Sequence, residues 1–290
     1  MLHQIRTRQT ARRTAIIALT LALGTGTAQA QTAIGVTNQG SLITWNVNTP
    51  EAIETGVALQ GLGVNERLVG IDVRPATGEL YALGSFSNLY RVDISSGMAT
   101  LVGGFSDTLN GSSFGFDFNP TIDRIRVVSD AGQNLVLNPN DGASTVATPL
   151  FYEAGDPNEG ATPNVVASAY TNNFAGATTS QLYGLDTGLN ILVTQANSFG
   201  NLATVGSLGV NLTDDASFDI FEDVAYATVL DATLSQSTFW TIDLMTGEAT
   251  MIGQIGGGSL VTSMAIIPAP GGFAIAALAG LAGMTRRRRI

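Results

Sequence analysis

The sequence predicts an all-β fold: a five-bladed β-propeller of four-stranded blades, closed by pairing of the N- and C-terminal strands. Three observations predict it. Between residues 31 and 267, apolar or alternating runs of five or six residues recur, with Gly, Pro, Asn and Asp between them. That is the pattern of short strands joined by tight turns. The runs group in fours with a period of 45 to 52 residues, as radial repetition of a small sheet requires. The last run stands alone and completes an otherwise three-stranded first unit, which neither a sandwich nor an open solenoid would need.

The first unit holds Ala33 to Thr37, Ser41 to Asn46 and Ile53 to Leu59. In the second, Val69 to Val73 ends at Arg74 and Pro75, followed by Glu79 to Gly84, Leu89 to Asp93 and Met98 to Gly103. The third runs through Ser113 to Pro120, Arg124 to Ser129, Asn134 to Asn138 and Ala143 to Thr148. A fourth holds Asn164 to Thr171, Gln181 to Asp186, Asn190 to Gln195 and Asn201 to Leu208. Ser217 to Phe221, Val224 to Leu230, Thr238 to Asp243 and Glu248 to Gln254 make the fifth, and Leu260 to Ile267 is the orphan. Asp72, Asp117, Ala169, Asp219 and Met264 serve as equivalent anchors on the five innermost strands.

Composition limits the chemistry. Residues 31–267 contain no Cys, Lys or His, because the one His lies at position 3. That excludes a Ser-His-Asp triad, a thiolate nucleophile, a Schiff-base lysine, a Walker phosphate loop and the usual Zn, Cu and haem ligand sets. Oxygen chemistry is left: a carboxylate pair for glycan hydrolysis, or Ca²⁺ held by Asp, Glu and carbonyls. Five Arg against 23 acidic residues give this segment a net charge of −18, which repels nucleic acid and anionic lipid.

The segment carries a resemblance. Phe114 to Pro120, Asp123 to Ser129 and Gln133, Asn134 resemble the core motif of the bacterial domain-of-unknown-function family DUF4394. Gly70 to Pro75, Gly78 to Tyr81 and Ala169 to Asn172 resemble it as well, so the likeness covers most of residues 33–256. It implies an exported, propeller-like domain, and the family supplies no catalytic residues to carry over.

Both ends read as addresses. Residues 1–30 have the form of a signal peptide: Arg6, Arg8, Arg12 and Arg13, then an apolar run from Ala15 to Leu23, then Ala28-Gln29-Ala30 for signal peptidase. Residues 268–290 place Pro268-Ala269-Pro270-Gly271 before an apolar run, Gly272 to Met284, and a basic cluster, Arg286 to Arg289. The order resembles a PEP-CTERM sorting tail, with Ala269 where the name-giving Glu would stand. It implies processing by an exosortase-type enzyme and attachment to the membrane through the tail, at least transiently.

The candidate site residues are Asp72, Arg74, Asp117, Asn119, Arg124, Arg126 and Asp219. Gly70, Asp72 and Arg74 share one strand face, as do Gly115, Asp117 and Asn119, by the two-residue period of a strand. Such a polar row near the axis either fixes turns between blades or forms a ligand mouth. Acidic loops at Asp156 to Glu159 and at Asp214, Asp215 are weaker Ca²⁺ candidates that lack the 12-residue loop spacing. The expected function is that of an exported, envelope-associated, non-enzymatic propeller, a binding or matrix/scaffold protein whose ligand the sequence does not name, with extracellular polysaccharide or an envelope protein as the candidate partners. A carboxylate-dependent glycan enzyme or a Ca²⁺-binding propeller is the alternative.

Overall fold

The computed structural model describes residues 31–197, 199–231 and 235–267. The proposed signal peptide and sorting tail lie outside these residues.

Five sheets follow one another around an axis. The first is built from both ends of the chain: β1 (Thr32–Thr37), β2 (Ser41–Asn46) and β3 (Thr49–Ala58) lie outward of the final strand, β21 (Val261–Ile267). The second blade comprises β4 (Leu68–Val73), β5 (Leu80–Gly84), β6 (Asn88–Val92) and β7 (Ala99–Gly104), and the third β8 (Phe114–Asn119), β9 (Arg124–Ser129), β10 (Asn134–Leu137) and β11 (Ser144–Val146). The fourth has β13 (Val165–Tyr170), β14 (Leu182–Asp186), β15 (Ile191–Gln195) and β16 (Asn201–Ser207), with the two-residue β12 (Phe151–Tyr152) added in parallel outside β16. The fifth has β17 (Ser217–Phe221), β18 (Val224–Asp231), β19 (Gln236–Ile242) and β20 (Ala249–Gln254). The ring closes as the orphan run predicts, with β1 antiparallel to β21 from Thr32↔Ile267 to Thr37↔Val261.

Each blade faces a neighbour on both sides, so both faces of an inner strand are buried and its residues form near-continuous buried runs, as in Val165–Tyr170. The buried apolar side chains accordingly form five clusters, one between each pair of adjacent blades. Between blades 1 and 2, Ile34, Val36 and Leu42 meet Leu68, Ile71 and Leu80. Tyr81 and Leu83 meet Phe116 and Phe118 across the next joint, with the Tyr81 and Phe118 rings edge to face at 5.3 Å. Between blades 5 and 1, Trp45 meets Phe239 edge to face at 5.6 Å, and Phe239 stacks on Tyr226. The outer strands are exposed, as in β3, where only Pro50 is fully buried; an outermost strand tolerates Pro because its far edge needs no amide.

Rim turns add backbone contacts between blades. Gly97, Gly142 and Gly247 all have φ between 72° and 86°. Their Cα atoms press on the backbone of Ala58, Gly103 and Gly206 in the preceding blade, where an added Cβ would sit 2.2 to 2.9 Å from a carbonyl oxygen.

One anchor is corrected. Asp72, Asp117 and Ala169 face the next blade in the ring, and so do Ser263 and Ala265 on β21, whereas Met264 packs backward against the fifth blade. The position equivalent to Asp219 is therefore Ala265, one residue later than expected.

Candidate functional site

The five innermost strands, β4, β8, β13, β17 and β21, each have one edge turned to the axis with no strand beyond it. In an antiparallel ladder alternate residues bond outward, so every second amide on these strands points inward and needs an acceptor. The sequence supplies acceptors from side chains. Asp72 accepts from Val73 N at 2.6 Å and reaches across the joint to Phe118 N at 2.7 Å. Asp117 makes the same reach to Tyr170 N at 2.9 Å, Asp219 to Ile266 N at 2.5 Å, and the Ser263 hydroxyl to Ile71 N at 2.9 Å. Four of the five joints are thus bridged at the hub. The remaining joint, from β13 to β17, has Ala169 at the equivalent position.

These reaches converge the three carboxylates. Asp72, Asp117 and Asp219 are each 1% exposed, and one oxygen from each lies within 4.8 Å of the others. Burial, then the charge of Asp219, pushes the Asp72 carboxyl well above its ordinary range, against the pull of the Phe118 and Val73 amides. Burial, then Asp72 and Asp219, does the same to Asp117 against the Tyr170 amide. Burial pushes Asp219 up to about 6, opposed by the Ile266 and Ile220 amides. Like charges this close and this dry do not all ionise without a counter-charge. Two buried oxygens beside the axis have no partner among the described residues, Asp219 Oδ1 and Ser168 Oγ.

The arginines and Asn119 lie at the C-terminal ends of the inner strands or on β9, and two of them, Arg74 and Arg126, lock neighbouring blades. Arg74 forms a two-pronged ion pair with Asp123 of the third blade through Nε at 2.8 Å and Nη2, and also donates to Asn140 and Tyr81. The Asp123 bond holds the Arg74 guanidinium above its usual range and the Asp123 carboxyl below its own. Arg126 donates to Asn134 at 2.8 Å and to the Asn197 carbonyl of the fourth blade. Arg124 donates to the Asp123 carbonyl at 2.9 Å, and Asn119 caps its own turn by accepting from Thr121. The structure therefore brings Asp72, Asp117 and Asp219 together, and although Arg126 stands opposite Asp117 in the β8–β9 ladder, the bonds of Arg74, Asn119, Arg124 and Arg126 go to other groups.

The glycan-hydrolysis alternative asked for two carboxyls facing one open cleft. The three acids instead are buried and accept from backbone amides, so this cluster does not supply that pair. The weaker acidic loops are tied to the fourth blade: Asp156 accepts from Thr204, and Asp214 from Thr187 and Asn164.

At the opposite, N-terminal end of the inner strands the axis opens into a mouth of about 440 Å³ lined from all five blades. Arg67, Asp214 and Asp215 stand on its rim, all exposed, with Asn38, Ser113 and Phe114 nearby. Among the described residues the Arg67 guanidinium and the Asp215 carboxylate make no hydrogen bond or ion pair. Glu66, also on the wall, is spent on Tyr90 at 2.6 Å and Asn88. Arg67 escaped the sequence reading because it precedes its strand instead of lying in it. A charged residue one or two positions before the inner strand of a blade, as at Arg67 and Asp215, is the signal that would have found it.

The profile of a family described as Domain of unknown function (DUF4394) matches residues 41–265. No curated protein matches the sequence. Among solved structures, a chain from the crystal structure of a nidogen/laminin complex aligns with a TM-score of 0.51 at 10% identity, covering 83% of this chain and 99% of that one. A structural genomics protein of unknown function from Bacteroides thetaiotaomicron VPI-5482 aligns with a TM-score of 0.45 at 14% identity over 78% of this chain and 58% of its own. At these identities the likeness concerns the fold alone.

Proposed function

The chain belongs to the DUF4394 family, matched over residues 41–265, and from that premise we propose that it is an exported, envelope-associated, non-enzymatic propeller that binds its ligand in the axial mouth. One observation carries this reading: all five blades contribute to a single concavity whose rim holds one guanidinium and one carboxylate with no partner among the described residues. A forked donor and an acceptor on one rim suit a ligand rich in hydroxyls, so the ligand class is a neutral, hydroxyl-rich polysaccharide of the cell exterior. The net charge of −18 over residues 31–267 argues against polyanions. Export and attachment rest on the signal-like residues 1–30 and the tail-like residues 268–290.

Affinity electrophoresis of the purified protein through gels cast with neutral glucans, galactans and mannans tests the reading. Retardation by at least one of these polymers, lost in Arg67→Ala and Asp215→Ala but kept in Asp123→Asn, is expected. Mobility unaffected by every polymer, or retardation that both mouth variants retain, would sink it.

A further inference from the structure

The bonding at the hub leaves an account to be settled. The backbone amides take both oxygens of Asp72, Oδ1 of Asp117 and Oδ2 of Asp219. Among the described residues Asp219 Oδ1 is buried with no hydrogen-bond partner, in a side chain 1% exposed; the Ile220 amide acts on this carboxylate only from outside bonding geometry. Among the described residues no cationic side chain compensates. Arg74 is held by Asp123 and Arg126 by Asn134 and Asn197, and Lys and His are missing from residues 31–267. An anionic oxygen without donor or counter-charge in such a place is the kind of group that persists only when something fills the gap.

The geometry states what would fill it. Three carboxylate oxygens within 4.8 Å of one another can close on a single ion, and Ca²⁺, with bonds of about 2.4 Å and no fixed geometry, accepts such an irregular oxygen set more readily than Mg²⁺, which demands a near-ideal octahedron at about 2.1 Å. All available donors are oxygens, which suits a hard divalent cation and not Zn²⁺ or Cu²⁺. Along the axis toward the mouth lies a void of about 10 Å³, roughly one water, bordered by Ser168, Ser217 and Ser263. Ser168 Oγ is the second buried oxygen without a partner. Phe114 lines both this void and the mouth, so the mouth, the void and the carboxylates follow one another down the axis.

We propose that the propeller hub binds one Ca²⁺ ion through Asp72, Asp117 and Asp219, with Asp219 Oδ1 as the oxygen free to coordinate it directly. The ion ties blades 2, 3 and 5 together at the point where their carboxylates already cap neighbouring strands. The site is structural and separate from the ligand mouth, so its failure would leave the mouth reading untouched, and the converse also holds.

The probe is calcium itself. The full protein is unfolded and refolded with EGTA, or with CaCl₂ or MgCl₂, then desalted and analysed for bound metal by mass spectrometry of the element. About one Ca per chain is expected, with a melting temperature roughly 5–10 °C above that of the EGTA-treated protein at Ca²⁺ about 100-fold over Kd. Asp219→Asn keeps an acceptor for the Ile266 amide, so it should fold yet retain less than a tenth of the metal. Asp156→Asn, in an acidic loop far from the hub, should keep it all. Wild-type protein that refolds in CaCl₂ with no bound Ca overturns the proposal without recourse to any variant. Full occupancy in Asp219→Asn, or its loss in Asp156→Asn, overturns the assignment to the hub.

Discussion

Gly35 offers the most direct test of how the ring closes. It lies in β1, paired with Ile43 of β2 on one side and Met264 of β21 on the other. A Cβ added there would stand 2.9 Å from both Trp45 Cζ3 and Val261 Cγ1, and 3.0 Å from Trp45 Cη2. Carbon atoms in contact prefer about 3.5–4.0 Å, so two buried side chains would have to give way by more than half an ångström. Trp45 has little room to do so, because it is fully buried and its ring abuts Phe239. Gly35→Ala should therefore cost about 1–3 kcal/mol by overpacking. Trp45→Leu removes the far edge of the indole, and the cavity left should cost about 2–4 kcal/mol by itself. With that edge gone Val261 has a cavity to shift into and the new methyl has space, so adding Gly35→Ala to Trp45→Leu should cost less than about 1 kcal/mol, a coupling of about 1–2 kcal/mol. Urea unfolding followed by tryptophan-independent far-UV circular dichroism reads all four proteins, provided the m-value is unchanged. Gly35→Ala within about 0.5 kcal/mol of wild type, or equal costs in both backgrounds, would refute this packing of β1, β2 and β21.

Other perturbations address the joints and the ends. Gly142→Ala forces a side chain into φ 78° with its Cβ 2.9 Å from the Gly103 carbonyl oxygen, and should lower the urea midpoint by the equivalent of about 1–3 kcal/mol. Ser263→Ala strips the buried Ile71 amide of its acceptor and should cost about 1–3 kcal/mol in the same assay. The Arg74 bond holds Asp123 below its ordinary pKa of 3.8, so its contribution is present above that value and lost as pH falls through the lower, folded one. Thermal melts should therefore show wild type losing more stability than Asp123→Asn as pH drops below about 4; parallel curves would count against the latch. Intact mass of the exported protein should correspond to a chain beginning at Gln31 and lacking residues beyond about Pro270, and a mass including Met1 would contradict the signal-peptide reading.

The blades were legible in the sequence because both faces of an inner strand are buried, which leaves runs such as Val69 to Val73 and Phe114 to Pro120 with sharp ends. What slipped was the finer register. Met264 and Ala265 are both apolar, and nothing in their types says which faces the second blade; the Asp219 bond to Ile266 decides it. β12 was invisible because two residues carry no period, and it pairs in parallel with a strand fifty positions downstream. At the site, the recurring Asp72, Asp117 and Asp219 announced a row near the axis, and the structure brings them to one point. The roles of Arg74 and Arg126 depend on turns of the next blade, at Asp123 and Asn197, which strand periodicity does not place. The mouth was unreadable for a similar reason, since its rim comes from loops separated by whole blades.

The pairing of Thr32 with Ile267 sets more than closure. Both ends of the folded chain emerge side by side from the face where β21 finishes, while the open funnel is at the face where β21 begins, beside Thr262. Until it is removed, a tail continuing after Ile267 would therefore hold the disc by its underside, with the concavity directed away from the lipid and toward whatever surrounds the cell.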